Sequence, residues 1–298
     1  MVTTVAPVPE ADLAQPGGRG RRRSRLGVRR AGPLTYAALA LVALASMFPL
    51  YWTFVMASSD NSVLSETTPP LVPGGHLFDN ISRVFDSVDF WVAIRNSLII
   101  SSAVALSNVL FSSLAGFAFA KLRFPGRDAL MVVVIATLMV PTQLGIVPLY
   151  MLMSDIGLYG SLWAVILPGM VSAFGVFWMR QAIDEGIPDE LVEAARVDGA
   201  GLFLIWWKVI VPGVRNTASV LGLFVFMTAW NDFFWPLVVL PADNGTVQTA
   251  LNQLAAGYYT DYALMLSGAV LAVIPLLILF ALLARRVIAG VMSGAVKG

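Results

Sequence analysis

The residues able to do chemistry are few, and apolar sequence surrounds them. The chain has one histidine, His76, and no cysteine, so we expect no thiolate or histidine-based metal site. A nucleotide-binding loop of the Gly-Lys-Ser/Thr type is excluded, because its three lysines are followed by Leu122, Val209 and Gly298. With metal sites and a nucleotide-binding loop set aside, the remaining candidates are polar side chains that can form hydrogen bonds within apolar segments.

Five polar or aromatic residues stand out in those segments: Asn108, Gln143, Trp230, Asn231 and Asp232. Polar side chains at membrane depth are unfavourable unless they face protein or a water-filled path. Aromatic rings can stack on the C–H surface of a ligand, while amides and carboxylates can bond its hydroxyl groups. Gln143, Trp230, Asn231 and Asp232 are therefore candidates for a substrate pathway. Helix–helix packing is the alternative for Asn231, and it is the favoured interpretation for Asn108.

The composition indicates that these residues lie within membrane-spanning helices. Hydrophobic residues make up 58% of the chain and charged residues 12%, with a mean hydropathy of +0.78. Soluble domains are about one quarter charged. Segments of about 20 apolar residues can cross a bilayer as helices, and we predict six of them: 34–57, 97–120, 129–153, 156–179, 217–241 and 262–284. Because the runs lack the alternation of barrel strands, the predicted fold is an all-α integral membrane protein with six transmembrane helices.

Lysine and arginine predict the orientation. Seventeen of them lie in the N-terminal tail, the second and fourth connections and the C-terminal tail; only Arg83 and Arg95 lie on the other side. Since basic residues favour the cytoplasm, both termini are predicted to be cytoplasmic. A cleaved signal peptide is the alternative for the first segment, but its apolar run exceeds the about 7–15 residues of a signal core.

The chain therefore divides into three parts. Residues 1–32 are predicted to be a disordered, Arg-rich cytoplasmic tail that can rest on anionic lipid. Residues 33–284 form the six-helix domain, and residues 285–298 form a cytoplasmic C-terminal tail. The only basic cluster is the Arg-rich N-terminal tail, which lies beside a membrane segment, so no nucleic-acid partner is expected.

The fourth connection, residues 180–216, differs from an ordinary linker because it holds six of the eighteen acidic residues. The pattern predicts a short helix after Pro188, a turn at Asp198 and Gly199, and a second helical piece over 202–209 that stops near Pro212. A compact helix–turn–helix on the cytoplasmic surface is typical of a docking element.

The same connection carries a recognisable motif: Glu193-Ala194-Ala195, then Gly199, then Val209, Val211 and Pro212. This pattern resembles the EAA loop of ABC-importer permeases, in which Ile and Leu usually stand at the two valine positions. Over about residues 34–298 the sequence is most similar to the MalG-like subunits of carbohydrate importers.

The resemblance implies a type I ABC-importer permease that works by alternating access and is not itself an enzyme. It implies three partners: a second, MalF-like permease, a cytoplasmic ABC ATPase dimer and an extracytoplasmic solute-binding protein. ATP and Mg would be used by the ATPase, and this chain would bind no cofactor. The residues expected to couple to the ATPase are Glu193, Ala194, Ala195, Asp198, Gly199 and Pro212. The expected substrate is a di- or oligosaccharide, with cellobiose-like β-glucosides as one class.

Two alternatives stay open. An ion-coupled secondary transporter would need buried ionisable residues, and only Asp232 lies within a predicted segment. An ABC permease for a non-sugar solute would share every motif described above.

Overall fold

The computed structural model describes residues 32–64, 70–256 and 261–295. Nearly all of the predicted tail 1–32, and residues 296–298, lie outside these ranges. The chain divides into two compact units, residues 1–48 and 49–298, and the boundary falls within the first helix.

The described residues form α-helices and contain no β-strand. The long helices are α1 (Pro33–Ala57), α4 (Phe90–Lys121), α11 (Val211–Trp230) and α14 (Tyr262–Ala295). The shorter helices are α2 (Asn61–Leu64), α3 (Leu77–Ser87), α5 (Arg127–Thr137), α6 (Ile146–Asp155), α7 (Trp163–Gly169), α8 (Ala173–Gly186), α9 (Asp189–Val197), α10 (Leu202–Ile205), α12 (Phe234–Val239) and α13 (Val247–Ala255).

Four helical segments of the described chain are long and apolar enough to cross a membrane: Pro33–Ala57, Phe90–Lys121, Leu202–Trp230 and Tyr262–Ala284. Two bent pairs add up to two more spans. The first, α5 with residues Thr142–Asp155, bends by 92°, and the second, α7 with α8, bends by 41°. The described ranges therefore contain four to six candidate spans.

The third predicted helix, 129–153, is broken at Pro141. Helix α5 ends at Thr137, and a 3₁₀ turn over Thr142–Gly145 precedes α6. Proline disfavours the helical conformation of the residue before it and cannot donate a backbone hydrogen bond. Pro148, by contrast, lies in the first turn of α6, where a missing N–H has little effect. The fourth predicted helix, 156–179, is likewise interrupted between α7 and α8.

The fifth helix lies earlier in the chain than 217–241. It runs through α10 and a π-helical turn, Trp206–Ile210, directly into α11, and ends at Trp230. The prediction that the helix stops near Pro212 was wrong. In the π turn the Val211 N–H bonds to the Trp206 carbonyl, five residues back. This wider turn lets the helix continue where the proline would otherwise interrupt the ladder.

Helix α4 is the centre of the second unit and packs against α8, α11, α7 and α13. At Gly116 the α4 and α8 backbones approach closely: a Cβ atom there would lie 2.7 Å from the Arg180 nitrogen. A buried apolar cluster, called here the α9 seat, joins α4 and α8 to α9, α10 and α11. It comprises Phe117, Met179, Ile183, Ile187, Val192, Ile205, Trp206, Ile210, Val214 and Leu221.

Candidate functional site

Helix α9 rests on the α9 seat through one face. Val192 is buried, and Ala195 is half-buried against the seat. Beneath them, the Trp206 indole donates a hydrogen bond from Nε1 to Ser113 Oγ, at 3.2 Å, and so joins the π turn to α4. The short helix is therefore held by packing on the helices below it.

The C-terminal end of α9 is closed by a Schellman motif. The Gly199 N–H bonds to the Arg196 carbonyl at 3.0 Å, and the Ala200 N–H bonds to the Ala195 carbonyl at 2.9 Å. Gly199 has φ of +79°, a conformation in which a side chain is strained. The turn predicted at Asp198 and Gly199 therefore has this structure, and the glycine is required by its backbone conformation.

The opposite face of α9 points away from the rest of the described chain. Glu193, Ala194 and Asp198 are exposed, and they lie beside Leu191 and Val197, of which Val197 is 88% exposed. We call these five residues the α9 surface. It combines apolar groups with two carboxylates, and Ala194 leaves room for a neighbouring molecule to approach the helix.

Pro212 lies apart from the α9 surface. It is the second residue of α11, directly after the π turn. Its position connects it to the continuity of the α10–α11 helix rather than to the exposed face of α9.

The N-terminal end of α9 has a contact that the sequence did not reveal. Lys121, the last residue of α4, donates from Nζ to Asp189 Oδ1 at 2.5 Å. The Lys121 side chain is only 4% exposed. This hydrogen bond is the largest reason that the pKa of Asp189 is lowered, and the positive charges of Lys121 and Arg123 add to it. The signal in the sequence was a lone lysine ending an apolar helix, but nothing indicated its partner.

The structure separates the candidate pathway residues. Trp230 is buried and stacks on Phe226, with ring centroids 5.9 Å apart, so it has a packing position. Asn231 is exposed at the end of α11 and donates to the Met227 carbonyl at 2.8 Å. Its Oδ1 lies 3.4 Å from Nε2 of Gln248 on α13, a residue that the sequence analysis did not select.

Asp232 and Gln143 lie where helices are interrupted. Asp232 is half-buried in the break between α11 and α12, and its Oδ1 is 3.5 Å from the Trp235 backbone nitrogen. Gln143 is exposed in the 3₁₀ turn between α5 and α6. Both residues therefore belong to irregular backbone, where a helical pattern alone would have placed them inside a continuous helix.

Asn108 forms a buried polar node between α4 and the α7–α8 break. Its Nδ2 donates to the Gly169 carbonyl at 3.2 Å, and its Oδ1 accepts from Ser112 and Ser172 at 3.1 and 3.4 Å. The Gly169 carbonyl lies at the end of α7, where the helix stops and no backbone N–H of a following turn is in place to bond it. Asn108 thus has the packing role that the sequence favoured.

Comparisons with known proteins agree with this architecture. Residues 108–292 match the family model "Binding-protein-dependent transport system inner membrane component". The lactose transport system permease protein LacG of Rhizobium radiobacter is 36% identical over 88% of this chain and 95% of its own length. The sn-glycerol-3-phosphate transport system permease protein UgpE of Yersinia pestis is 30% identical over 83% and 91%.

The fold is also found in a solved structure. A chain of a bacterial ABC transporter involved in the import of the acidic polysaccharide alginate superposes with a TM-score of 0.73, covering 85% of this chain and 94% of that one, at 22% identity. The relatives are transport permease components rather than enzymes, and the family resides in the cytoplasmic membrane. This chain belongs to the family of binding-protein-dependent transport system inner membrane components, the permease subunits of ABC transporters.

Proposed function

We propose that this chain translocates a di- or oligosaccharide across the cytoplasmic membrane as one permease subunit of an ABC importer. The observation that carries the proposal is the α9 surface: a short helix fixed to the bundle, capped at its C-terminal end by Gly199, and exposed on the face that carries Glu193 and Ala194. Exposed Leu191 and Val197 beside the small Ala194 suit contact with a partner protein, and the motif there resembles the ATPase-docking loop of importer permeases.

The proposal places both termini and α9 in the cytoplasm and counts each bent pair as one span. Contacts between the segments that connect the spans support this topology, in which successive connections lie on opposite sides of the membrane. At one end of the bundle, Lys121 at the end of α4 meets Asp189 at the start of α9. At the other end, Asn96 at the start of α4 bonds to the Asn244 carbonyl at 3.0 Å, and the Gly160 N–H bonds to the Val239 carbonyl at 2.9 Å. The second and fourth connections thus meet at one end of α4, and the segments beside the first, third and fifth connections meet near its other end, which supports a chain that crosses the membrane back and forth.

The elbow between α5 and α6 supports a polar path beside the irregular backbone. Residues 138–141 lie outside the α-helices: the N–H groups of residues 138–140 bond to carbonyls three residues back in turns, and Gln143 is exposed. Irregular backbone at membrane depth is tolerated only where protein covers it or water reaches it. Gln143, Asn231 and Asp232, all at helix interruptions, are the residues proposed to line the path, while Trp230 supports it from the core.

In the proposed cycle, ATP closes an ATPase dimer in the cytoplasm, and the α9 surfaces of this chain and a second permease move with it. The bundle then opens outward and receives sugar from an extracytoplasmic binding protein. ATP and Mg act on the ATPase. In this chain Glu193, Ala194, Ala195 and Asp198 make or support the contact, and Gly199 holds the turn. Pro212 lies within the continuous α10–α11 helix that carries the movement into the membrane.

The sugar assignment rests on the lactose permease relative. The glycerol-3-phosphate relative makes a phosphorylated, non-sugar solute the competing substrate. Uptake of radiolabelled lactose, cellobiose and sn-glycerol-3-phosphate, measured in cells with and without this chain, separates the two classes. Loss of glycerol phosphate uptake alone would contradict the sugar proposal.

Energy coupling and docking are tested separately. Uptake should survive a protonophore and stop when ATP is depleted; the reverse result would indicate an ion-coupled transporter. Ala194→Trp should abolish co-purification of the ATPase, because the indole fills the space beside α9. Ala242→Trp is the matched control, since Ala242 is also exposed but lies at the other end of the bundle. Equal loss in both variants would argue against docking on α9.

A further inference from the structure

Lys121 joins the end of a membrane-spanning helix to the start of α9. It is the last residue of α4, its side chain is almost completely buried, and its ammonium group bonds to Asp189 Oδ1 at 2.5 Å. Asp189 is the first residue of α9 and is 74% exposed on its other side. The two residues are 68 positions apart, so the contact is made by the tertiary fold.

A buried lysine strongly constrains its partner. Lysine is almost never fully buried unless it is paired, because its charge loses the solvation of water. The ion pair between Arg127 and Asp128 provides a contrast, since those residues are neighbours and their side chains are 35% and 88% exposed. Water can replace either partner there. At Lys121 the side chain is only 4% exposed, so the lysine of this pair is much less open to water.

The contact acts together with the α9 seat. Val192 of α9 and Phe117 of α4 belong to this one buried cluster, and Trp206 bonds to Ser113 of α4. Apolar packing of this kind holds one face of the helix against its neighbours but is non-directional. A charge-assisted hydrogen bond at the first residue is directional, and it fixes α9 to α4 along the helix axis.

Helix α4 is the element best placed to carry a displacement across the bundle. It has 32 residues, which corresponds to about 48 Å at the rise of an α-helix. Along its length it bonds to the α7–α8 break through Asn108 and, near its other end, to the loop before α13 through Asn96. A movement of its cytoplasmic end therefore reaches both the middle and the far end of the protein.

We propose that the Lys121–Asp189 ion pair is the positioning link that makes α4 move as one body with α9 when an ATPase displaces the α9 surface. The inference rests on the proposed function, since it requires that α9 receives the displacement. It adds two residues outside the Glu-Ala-Ala motif and assigns them to transmission rather than to docking.

The test measures the distance between α9 and α4 in the assembled transporter. The natural chain has no cysteine, so Arg196→Cys and Leu106→Cys, both at exposed positions, can carry two spin labels. The full complex in lipid nanodiscs is compared without nucleotide and after trapping with ATP and vanadate. In the otherwise unchanged chain, we expect the distance to stay constant on trapping, because the two helices move together.

Three variants of the ion pair are expected to let α9 move independently of α4. Asp189→Asn, Lys121→Met and the double variant should each shift the distance on trapping by more than about 2 Å, or split it into two populations. Asp128→Asn is the matched control, since it also removes an exposed acid from the first turn of a helix, and it should leave the distance constant.

The double variant distinguishes a link from mere charge compensation. If the pair only neutralises a buried charge, removing both charges should restore the constant distance, and that result would overturn the inference. A constant distance in both single variants would also overturn it. Failure of the proposed function is recognised independently, because no ATPase would then co-purify with the unchanged chain.

Discussion

Replacing Gly199 tests whether the turn after α9 is fixed by its backbone conformation. A Cβ atom at Gly199 would meet nothing within 4 Å, so a substitution there is not limited by space. The φ angle of +79° is the sole source of strain. Gly201, two residues later, also has open space around a Cβ atom but has φ of −68°, which any residue adopts.

The expected free-energy change follows from that geometry. An L-residue in the left-handed region is less stable by about 1–2 kcal/mol, and we assign about 1 kcal/mol to Gly199→Ala and about 2 kcal/mol to Gly199→Val. A change of one to two kcal/mol alters an equilibrium by about 5–30-fold. The strain acts on the hydrogen bond from the Ala200 N–H to the Ala195 carbonyl, because that bond closes over Gly199.

Hydrogen exchange of the Ala200 amide in nanodiscs measures this opening. Exchange should be about 5-fold faster in Gly199→Ala and up to about 30-fold faster in Gly199→Val, while Gly201→Val should match the unchanged protein. Uptake should fall in the same order without loss of the protein from the membrane. Equal exchange in Gly199→Val and the unchanged chain, or equal acceleration in Gly201→Val, would refute the reasoning.

Three further outcomes follow from the structure. Gly116→Ala should destabilise the α4–α8 contact by about 1–3 kcal/mol, because its Cβ would lie 2.7 Å from a backbone nitrogen; Gly222→Ala, 3.4 Å from a valine methyl, should change the thermal midpoint far less. Asn108→Leu should lower the stability by about 1–3 kcal/mol, measured by thermal unfolding in detergent, because it leaves the Gly169 carbonyl unpaired; no change would show that the node is dispensable. The effect of Asp189→Asn on uptake should be constant between about pH 6 and 8. The pKa of Asp189 is lowered from its ordinary value of 3.8, so the ion pair is present throughout this range and is lost only as the pH falls below 3.8 through the lowered pKa. An Asp189→Asn effect that disappears near pH 6 would contradict this sign.

Local signals were sufficient for much of the architecture. Uninterrupted apolar runs predicted the long helices, since about 20 such residues are needed to cross a bilayer whatever their neighbours are. The helix at α9 and the turn at Gly199 also followed from local chemistry, because acids favour a helix start and glycine favours positive φ. The spacing from Glu193 to Pro212 predicted the family, which the comparisons confirm.

The positions at which helices are broken or continue could not be predicted from the sequence. Apolar composition is the same in a continuous helix and in a broken one, so a pattern of hydropathy cannot distinguish them. Pro141 is a local signal for an interruption of helical bonding, but the 92° bend between α5 and α6 depends on how the two pieces pack. At Pro212 the opposite occurred, because a π turn maintained the helix that the proline was expected to stop.

The sequence by itself thus determined that this is an apolar, helical membrane protein with a defined surface helix of recognisable type, because burial in lipid and backbone preference are properties of short segments. Only the tertiary structure decided which distant residues meet. Lys121 and Asp189, Asn108 and Gly169, and Asn231 and Gln248 are paired by the packing of whole helices, and no local pattern contains that information. The reason is physical: a side chain's partner depends on the relative placement of helices, which the buried contacts of the entire bundle set together.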